Sequence, residues 1–426
     1  MKIWMINQYA STPTTGIGGR QHYLGRELAL RGHAVKVIAA RSHHLLKEGV
    51  DPDLLPSRER VDGYEFIRMS VPRFRDAHDN RRVLAWLGFA QQLAGLHRKL
   101  GEVPDVVVYS SPSLLGYLGA ERLARRTGVP LVFEVRDIWP LTLIEIGKKS
   151  PRHPFIRLLQ WIEDRAYQRA DRVISNLPGA VEHMVQRRMP REKFAWVPNG
   201  ISVAEADSPE PLPDHVARRI PQSGLRIVYA GTLGRANALE TLIDAAALVS
   251  DLGDVSIILV GQGKERALLE QRAQNLKLKN VAFIGPVAKT QVQSVLRACD
   301  VCYIGWQDNQ LYRFGIAANK IGDYLYSGKP MINSFSGRFD PVTEYAAGLT
   351  VAAEDPRALA DAIRRMYAMT PEQRQRMGEN GRRAALEHYD YAKLAGSFEA
   401  ILWDTVNVHG GGSKSKSVQV GGSCRA

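Results

Sequence analysis

Short apolar runs recur along this chain, each followed by a stretch with helical spacing, and the series stops once before starting again. The first series runs KIWMINQY, then a helix from Arg20; AVKVIAA; a long helical region from Arg82; DVVVY; a helix from Ser113; PLVFEV; a helix from Pro154; RVISN; a helix from Pro178; and FAWV. Strands this apolar are buried on both faces, and the helices between them supply the crossovers that parallel strands require. The interruption, PNGISVAEADSPEPLPDHVARRIPQSG, is rich in proline and acid and reads as an interdomain connection. The second series is LRIVYAG, a helix from Ala238, VSIILVGQG, a helix from Lys264, VAFIG, a helix from Lys289, DVCYIGW, a helix near Ala317, PMIN and GLTVA, with long helical runs to about Val406. The expected fold class is α/β, with two Rossmann-like, doubly wound domains facing each other across a cleft. Their expected bounds are 1–198 and 199–385. A closing helix over 386–407 is expected to return towards the first domain, and a tail of linker composition follows over 408–426. Ligands of open parallel sheets sit beyond the carboxyl ends of the strands, so the cleft is the expected site.

The chain has 426 residues, 45% of them hydrophobic, enough to fill two cores. No apolar run approaches the roughly 18 residues of a membrane span, and MKIWMINQY enters a strand without a signal-peptide pattern, so a cytoplasmic protein is expected. Cys299 and Cys302 have CxxC spacing, but RACDVCYIGW reads as a helix end entering a buried strand, and packing is expected rather than zinc. The net charge is +13 and uneven: residues 1–198 hold 31 Lys/Arg against 20 Asp/Glu, the rest 26 against 24. A basic first half suits anionic partners: nucleic acid, a phosphorylated substrate or an acidic lipid surface.

Several stretches place chemistry at strand ends. TTGIGGRQHYLGREL sets Gly16, Gly18 and Gly19 between a strand and a helix that opens on Arg20. Uncapped amides at such a helix start attract anions, although a plain flexible turn fits the glycines equally well. AANKIGDYLYSGKP puts Asn319 and Asp323 on one helix face, with Lys320 three residues before Asp323; an amphipathic helix with a surface Lys–Asp pair is the plainer reading. In VFEVRDIWP, Arg136 and Asp137 follow a buried strand, either as site residues or as a structural pair. Ser111 of VVYSSPS ends the neighbouring strand, where it serves the site or caps a helix. YAGTLGRANAL and LVGQGKER repeat the glycine-after-strand device and bring in Arg235 and Lys264.

In this order the segments GGRQHYLGRELALRGHAVKVI, VPNGI, IVYAGTLGRANALETLIDAA, LVGQGKE, VAFIGPV and NKIGDYLYSGKPMI resemble the retaining glycosyltransferases of family 4, which have the GT-B fold. The resemblance spans roughly residues 2 to 405. VRDIWP and NKxxDYxxxGKP are most similar to bacterial transferases of N-acetylated or 6-deoxy amino sugars in surface-polysaccharide assembly, such as O-antigen, capsule and lipopolysaccharide. The resemblance implies that Gly18 and Gly19 face the donor diphosphate and sugar, with Arg20 a phosphate ligand. Gly231, Thr232 and Arg235 would line the diphosphate from the second domain, joined by Asn199, Gly261 and Lys264. Val287 falls where such proteins hold the nucleobase and Asp323 where an acid binds ribose, while Asn319 and Lys320 open a helix that meets phosphate.

The chain also departs from the family. Arg and Lys are common where Thr232 and Asn237 stand here, so compensation falls to Arg20, Arg235 and Lys320. The first Glu of the E-x7-E pattern falls on Gly315, which passes sugar recognition to backbone amides, and a His often found near the reacting sugar is Arg136.

The implied activity is transfer with retention from a UDP-sugar to a polyprenyl-diphosphate-linked or lipopolysaccharide-type acceptor. Fixed amides and cations stabilise the departing diphosphate. No Asp-x-Asp follows a strand, so neither metal nor other cofactor is expected. No covalent nucleophile stands out, and Asp137 and Arg136 are the candidate catalytic pair. RMSVPRFRDAHDNRRVLAWLGFAQQL interleaves Arg68, Arg73, Arg75, Arg81 and Arg82 with Phe74, Trp86 and Phe89, which suggests peripheral binding to anionic lipid at the cytoplasmic face of the inner membrane; an ordinary loop before a core helix is the alternative. A UDP-GlcNAc 2-epimerase-like isomerase would share the architecture. Nucleic-acid binding is disfavoured for want of a recognition motif, and a nicotinamide dehydrogenase because the strand near Ala40 lacks an acid for ribose.

Overall fold

The computed structural model describes residues 1–74, 79 and 81–410, and the chain forms two compact units. The first comprises Met1–Pro198 with the chain from Tyr391 onward; the second is Asn199–Asp390.

In the first unit the strands are β1 (Lys2–Ile6), β2 (Ala34–Ala40), β3 (Arg58–Val61), β4 (Tyr64–Met69), β5 (Val106–Ser110), β6 (Leu131–Val135), β7 (Arg172–Ser175) and β8 (Phe194–Trp196). They form one sheet in the order β3-β4-β2-β1-β5-β6-β7-β8. Every pairing is parallel except β3 with β4. That hairpin is absent from the sequence reading. Its signal is the Asp62–Gly63 turn, where φ values of 41° and 90° give both central positions the left-handed twist a two-residue hairpin needs.

On one face of this sheet Ile3, Met5, Val37 and Val108 pack with Leu24 and Leu28 of the helix Gly19–Leu30 and with Leu394, Phe398 and Leu402 of the helix Tyr391–His409. Arg31 and His33 both pair with Glu399, fastening the closing helix at the charged rim. The closing helix begins later than 386 because Ala385 and Tyr389 are still buried in the core of the second unit. It continues through His409, so residues 408 and 409 are helical rather than tail; residues 411–426 lie outside the described residues.

The second unit holds β9 (Leu225–Ala230), β10 (Val255–Val260), β11 (Val281–Ile284), β12 (Val301–Gly305), β13 (Met331–Ser334) and β14 (Gly348–Val351), all parallel, in the order β11-β10-β9-β12-β13-β14. Alternate residues feed two cores. Ile227, Tyr229, Ile257 and Leu259 pack with Leu239, Leu242 and Ile243 on one face; Val228, Ala230, Ile258 and Val260 pack with Tyr324 and Leu325 on the other. Residues 199–224 are not a free connection. Ile201, Ala206, Val216 and Ile220 are buried in the second of these cores, and Ser202 caps the short helix Val203–Asp207. Four apolar side chains at irregular spacing give no period to read, so the prolines and acids around them dominate the pattern. Cys299 and Cys302 lie in the same core, where burial pushes both thiols up to about 12. Among the described residues no helix is long and apolar enough to cross a membrane, and no group of three metal-binding side chains gathers.

Candidate functional site

The carboxyl ends of the first sheet are lined with polar side chains. Gly18 and Gly19 take φ values of 69° and 68°, which a side chain would strain, and a Cβ on Gly19 would meet nothing within 4 Å. The helix from Gly19 starts without a side-chain cap, and the Gly19 amide donates to the Ile17 carbonyl at 2.9 Å.

Arg20, expected as a phosphate ligand, is instead a buried structural cation. Its Nε donates to Glu134 Oε1 at 2.7 Å and its Nη1 to the Pro198 carbonyl; only Nη2 is unpartnered among the described residues. Glu134 also accepts from Ser110 Oγ at 2.5 Å and Gln21 Nε2 at 3.2 Å. Burial alone would raise this carboxyl, but Arg20, Arg136 and the Ser110 hydroxyl hold it below its ordinary value. Glu134 escaped the sequence reading, although a carboxylate inside the buried run LVFEV must find a cation.

Arg136 donates through Nη1 to Gln21 Oε1 at 3.1 Å, and its Nε is buried without a partner. No ion pair joins it to Asp137 among the described residues, so the structural-pair reading lapses. Ser111 accepts from the Arg136 amide at 2.9 Å and caps no helix. Asp137 reaches solvent, yet the protein around it pushes its carboxyl up to about 6 by desolvation, opposed by Arg136. Two guanidiniums face Glu134, with the Asp137 carboxyl beyond Arg136, and two N–H edges stay unmatched among the described residues. Asn7, Gln8 and Asn176 add unpaired amide atoms at the ends of β1 and β7. Such a rim suits an anionic or polyhydroxyl ligand.

Several described residues of the basic stretch 68–93 pack inward or pair with acids. Arg68 is buried and paired with Glu59, Trp86 and Phe89 are core residues at 1% and 0% exposure, and Arg73 pairs with Asp53. Arg75 lies outside the described residues.

In the second unit the loops after β9 and β10 touch backbone to backbone. A Cβ on Gly261 would come within 1.9 Å of the Gly231 carbonyl, and the Gly231 amide donates to the Val260 carbonyl at 2.9 Å. A Cβ on Gly231 would lie 3.1 Å from Lys320 Nζ. Lys320 donates to Tyr229 Oη at 2.7 Å and Asn237 Oδ1 at 2.9 Å, with Nζ 4.3 Å from the Tyr229 ring centre. No carboxylate pairs with it among the described residues, and burial pushes its ammonium down to about 7. Asn237 also ties the loop by donating to the Thr232 carbonyl at 3.0 Å. Tyr229 is the partner that sequence pattern concealed, since it reads as one more core residue of a strand.

The remaining candidates surround this point. Thr232, Arg235 and Lys264 are exposed on the two loops, and neither cation has an ion-pair partner among the described residues. Asn199 donates to the Ala317 carbonyl at 2.6 Å, bracing the turn before the helix Asn319–Tyr326, while its Oδ1 is buried and unpaired. That helix has no side-chain cap, and Asn319 is exposed at its start. Asp323 is buried and accepts from Lys289 Nζ at 2.6 Å through both oxygens. Val287 is half-buried beyond β11, and Gly315 takes a φ of 96°, with backbone alone where a carboxylate was missing from the pattern. The structure thus joins Gly231, Asn237, Gly261 and Lys320 around one ammonium, while no ion pair ties Arg235 or Lys264 among the described residues.

Two family models match: a glycosyl transferase 4-like domain over residues 15–200 and glycosyl transferases group 1 over residues 214–384. The chain is 23% identical to the putative colanic acid biosynthesis glycosyl transferase WcaI of Escherichia coli, over 71% of this chain and 76% of the relative. It is 27% identical to a GDP-mannose-dependent alpha-mannosyltransferase of Mycobacterium tuberculosis, over 70% and 73%. Among solved structures, a sucrose-phosphate synthase from Thermosynechococcus elongatus aligns with a TM-score of 0.74 at 18% identity, over 96% of this chain and all of the other. Anabaena HepE in complex with UDP and glucose aligns with a TM-score of 0.67 at 16% identity, over 95% of this chain and all of the other. The two matched domains, following one another along nearly the whole chain, and the paired parallel sheets make this chain a family 4 glycosyltransferase of the GT-B fold.

Proposed function

We propose that the protein moves a sugar, an N-acetylated hexosamine or 6-deoxy amino sugar, from a UDP-sugar to a lipid-linked or oligosaccharide acceptor with retention, in bacterial surface-polysaccharide assembly. The observation that carries the reading is Lys320, an ammonium held by Tyr229 and Asn237 with no carboxylate against it among the described residues, beside a loop whose glycine admits a close approach. Breaking the glycosidic bond puts negative charge on the leaving diphosphate. Lys320, the first amides of the helix Asn319–Tyr326, which has no side-chain cap, and Arg235 and Lys264, without ion-pair partners among the described residues, are donors for that charge. Asp323 takes the ribose hydroxyls and Val287 lies against the base. In the first unit the amides behind Gly19 and the unmatched guanidinium edge of Arg136 are donors of the kind a sugar or its phosphate takes. Asp137, whose carboxyl is ionised at neutral pH, contacts the acceptor hydroxyl or the sugar. Protein cations take the place of a divalent ion, so a chelator leaves turnover unchanged. No nucleic acid enters, and the work is done at the cytoplasmic face of the inner membrane.

The colanic acid relative supports the polysaccharide setting, and HepE, solved with UDP and glucose, supports the UDP series. The mannosyltransferase relative favours a second reading in which the donor is GDP-mannose. A thermal-shift screen of UDP-, GDP- and dTDP-sugars separates the two: a ligand at a hundred times its Kd stabilises by about 2.7 kcal/mol. Stabilisation by the UDP series alone supports the first reading, by GDP-mannose alone the second, and by none overturns the donor site. Product analysis separates transfer from epimerisation: nucleotide release that depends on acceptor indicates transfer, and a free epimerised nucleotide sugar overturns it.

A further inference from the structure

From Ile146 to Ile162 the chain reads IGKKSPRHPFIRLLQWI, seventeen residues without an acid. Lys148, Lys149, Arg152 and Arg157 are exposed, and none has an ion-pair partner among the described residues. The helix Pro154–Arg169 turns Leu159 and Ile162 inward at 0% exposure and leaves Leu158 at 44% and Trp161 at 52%; Ile146, just before the basic loop, is at 54%. Scattered exposed apolar residues are ordinary on a protein surface. This segment differs in what accompanies them. The acids that follow it are already taken up, Glu163 by Tyr167 and His183 and Asp164 by Arg187, so three large apolar side chains share a short segment with four cations that have no ion-pair partner among the described residues.

The segment also adjoins the strand ends. Phe155, in its first helical turn, stacks on Trp86 with ring centres 6.2 Å apart. Trp86 in turn meets Trp139 edge-on at 5.9 Å, and Trp139 is two residues beyond Asp137. Three aromatic rings therefore connect the exposed basic segment to the carboxyl end of β6.

We propose that Ile146–Trp161 is the surface by which the first unit docks on an anionic bilayer. Trp161, Leu158 and Ile146 enter the headgroup boundary, and the lysines and arginines meet lipid phosphates. Charge decides the occupant: a cationic rim around an apolar patch, whose adjoining carboxylate Asp164 is held by Arg187, complements anionic lipid and repels a second copy of itself. The purpose of the surface rests on the lipid-linked acceptor proposed above; its measurement does not.

The test is co-sedimentation of the full chain at low salt with vesicles of pure phosphatidylcholine and with vesicles of phosphatidylcholine mixed with anionic phosphatidylglycerol. Binding to the anionic vesicles only, reversed by salt, is expected. At about fivefold in affinity per cation, Lys148→Ala with Lys149→Ala costs about 25-fold. Trp161→Ser weakens binding at any salt concentration, with melting temperature lowered only slightly because half the side chain is exposed and its ring meets the Arg165 guanidinium. Removing Lys277, Lys279 and Arg376, exposed cations of the second unit, costs much less. Equal binding to neutral vesicles, no loss in the double variant, or self-association broken by Trp161→Ser without vesicles each overturns the proposal. Activity on a water-soluble acceptor keeps the two readings apart: vesicle binding with no transfer to any lipid-linked sugar sinks the acceptor, not the surface.

Discussion

The carboxyl ends of the two sheets hold their cations in opposite states. In the first unit Arg20 is locked to Glu134, and Arg136 is tied to the same cluster through Gln21. In the second, Lys320 leans on a phenol and an amide and answers no charge among the described residues. A buried charge with a partner belongs to the fold, and one without is held at a cost that an incoming anion offsets. The comparison teaches that a count of basic residues near strand ends says little about which of them a ligand can use.

Breaking the paired cluster gives the largest effect on the fold. Glu134→Ala strands two guanidiniums in a buried site, and removal of one member of such a pair destabilises by about 3–5 kcal/mol. For a unit of more than 200 residues this lowers Tm by roughly 6–20 °C. Lys320→Ala removes a charge with no partner to strand, so Tm holds or rises slightly. Differential scanning calorimetry of the two variants decides; equal losses would erase the contrast between the two ends.

Activity reverses the order. Lys320→Ala removes a fixed donor to the leaving diphosphate, for which about 2.7–4 kcal/mol, or roughly a hundred- to thousandfold in kcat/KM, is expected. Asn237 Oδ1 lies 2.9 Å from Lys320 Nζ, so a lysine at 237 can carry an ammonium to the same point. Adding Asn237→Lys to the alanine variant should recover at least tenfold. Recovery shows that the charge is what matters at this place; none, with a folded protein, shows that Lys320 acts through packing against Tyr229.

How far these sites could be read beforehand follows from the same chemistry. Strands such as DVVVY and VSIILV announce themselves because every residue is apolar, so both sheets and most crossover helices are legible. The hairpin at Asp62–Gly63 is missed because RERV is polar and sits at an edge, and residues 199–224 because their buried side chains have no period. Gly18, Gly19, Gly231 and Gly261 are legible as strand-end glycines, since only backbone conformation is at stake. Arg20 misleads: its position is right for phosphate, but its availability depends on Glu134, 114 residues away in sequence. Trp86 and Phe89 mislead likewise, since a basic-aromatic pattern does not record which face of a helix packs inward.

The pH dependence sharpens the state of Lys320. Burial lowers its pKa from the usual lysine value to about 7, so the ammonium is present below that pH and lost above it. The charged form is the one that grips a diphosphate, and donor affinity should fall as pH rises past 7, at most tenfold per unit. Binding between pH 7 and 8.5 should take up a proton, which calorimetry in buffers of different ionisation enthalpy reads directly. Lys320→Arg keeps its charge and should flatten the profile; an unchanged slope in that variant would move the titration to another group, Asp137 excepted, because its carboxyl titrates near 6.

The smallest effect concerns the pair next to that ammonium. Asp323 is held by Lys289, whose side chain is 55% exposed, and half-exposed pairs of this kind contribute about 0.2–1 kcal/mol. If Asp323 accepts from ribose hydroxyls, Lys289 competes with the nucleotide for its oxygens. Lys289→Ala should then tighten nucleotide binding by about one and a half- to fivefold. Weaker binding would mean that Lys289 itself touches the ligand and that Asp323 serves only to aim it. In that case the second unit would repeat the first, with a carboxylate fixing a cation, and Lys320 would be the exception rather than the rule.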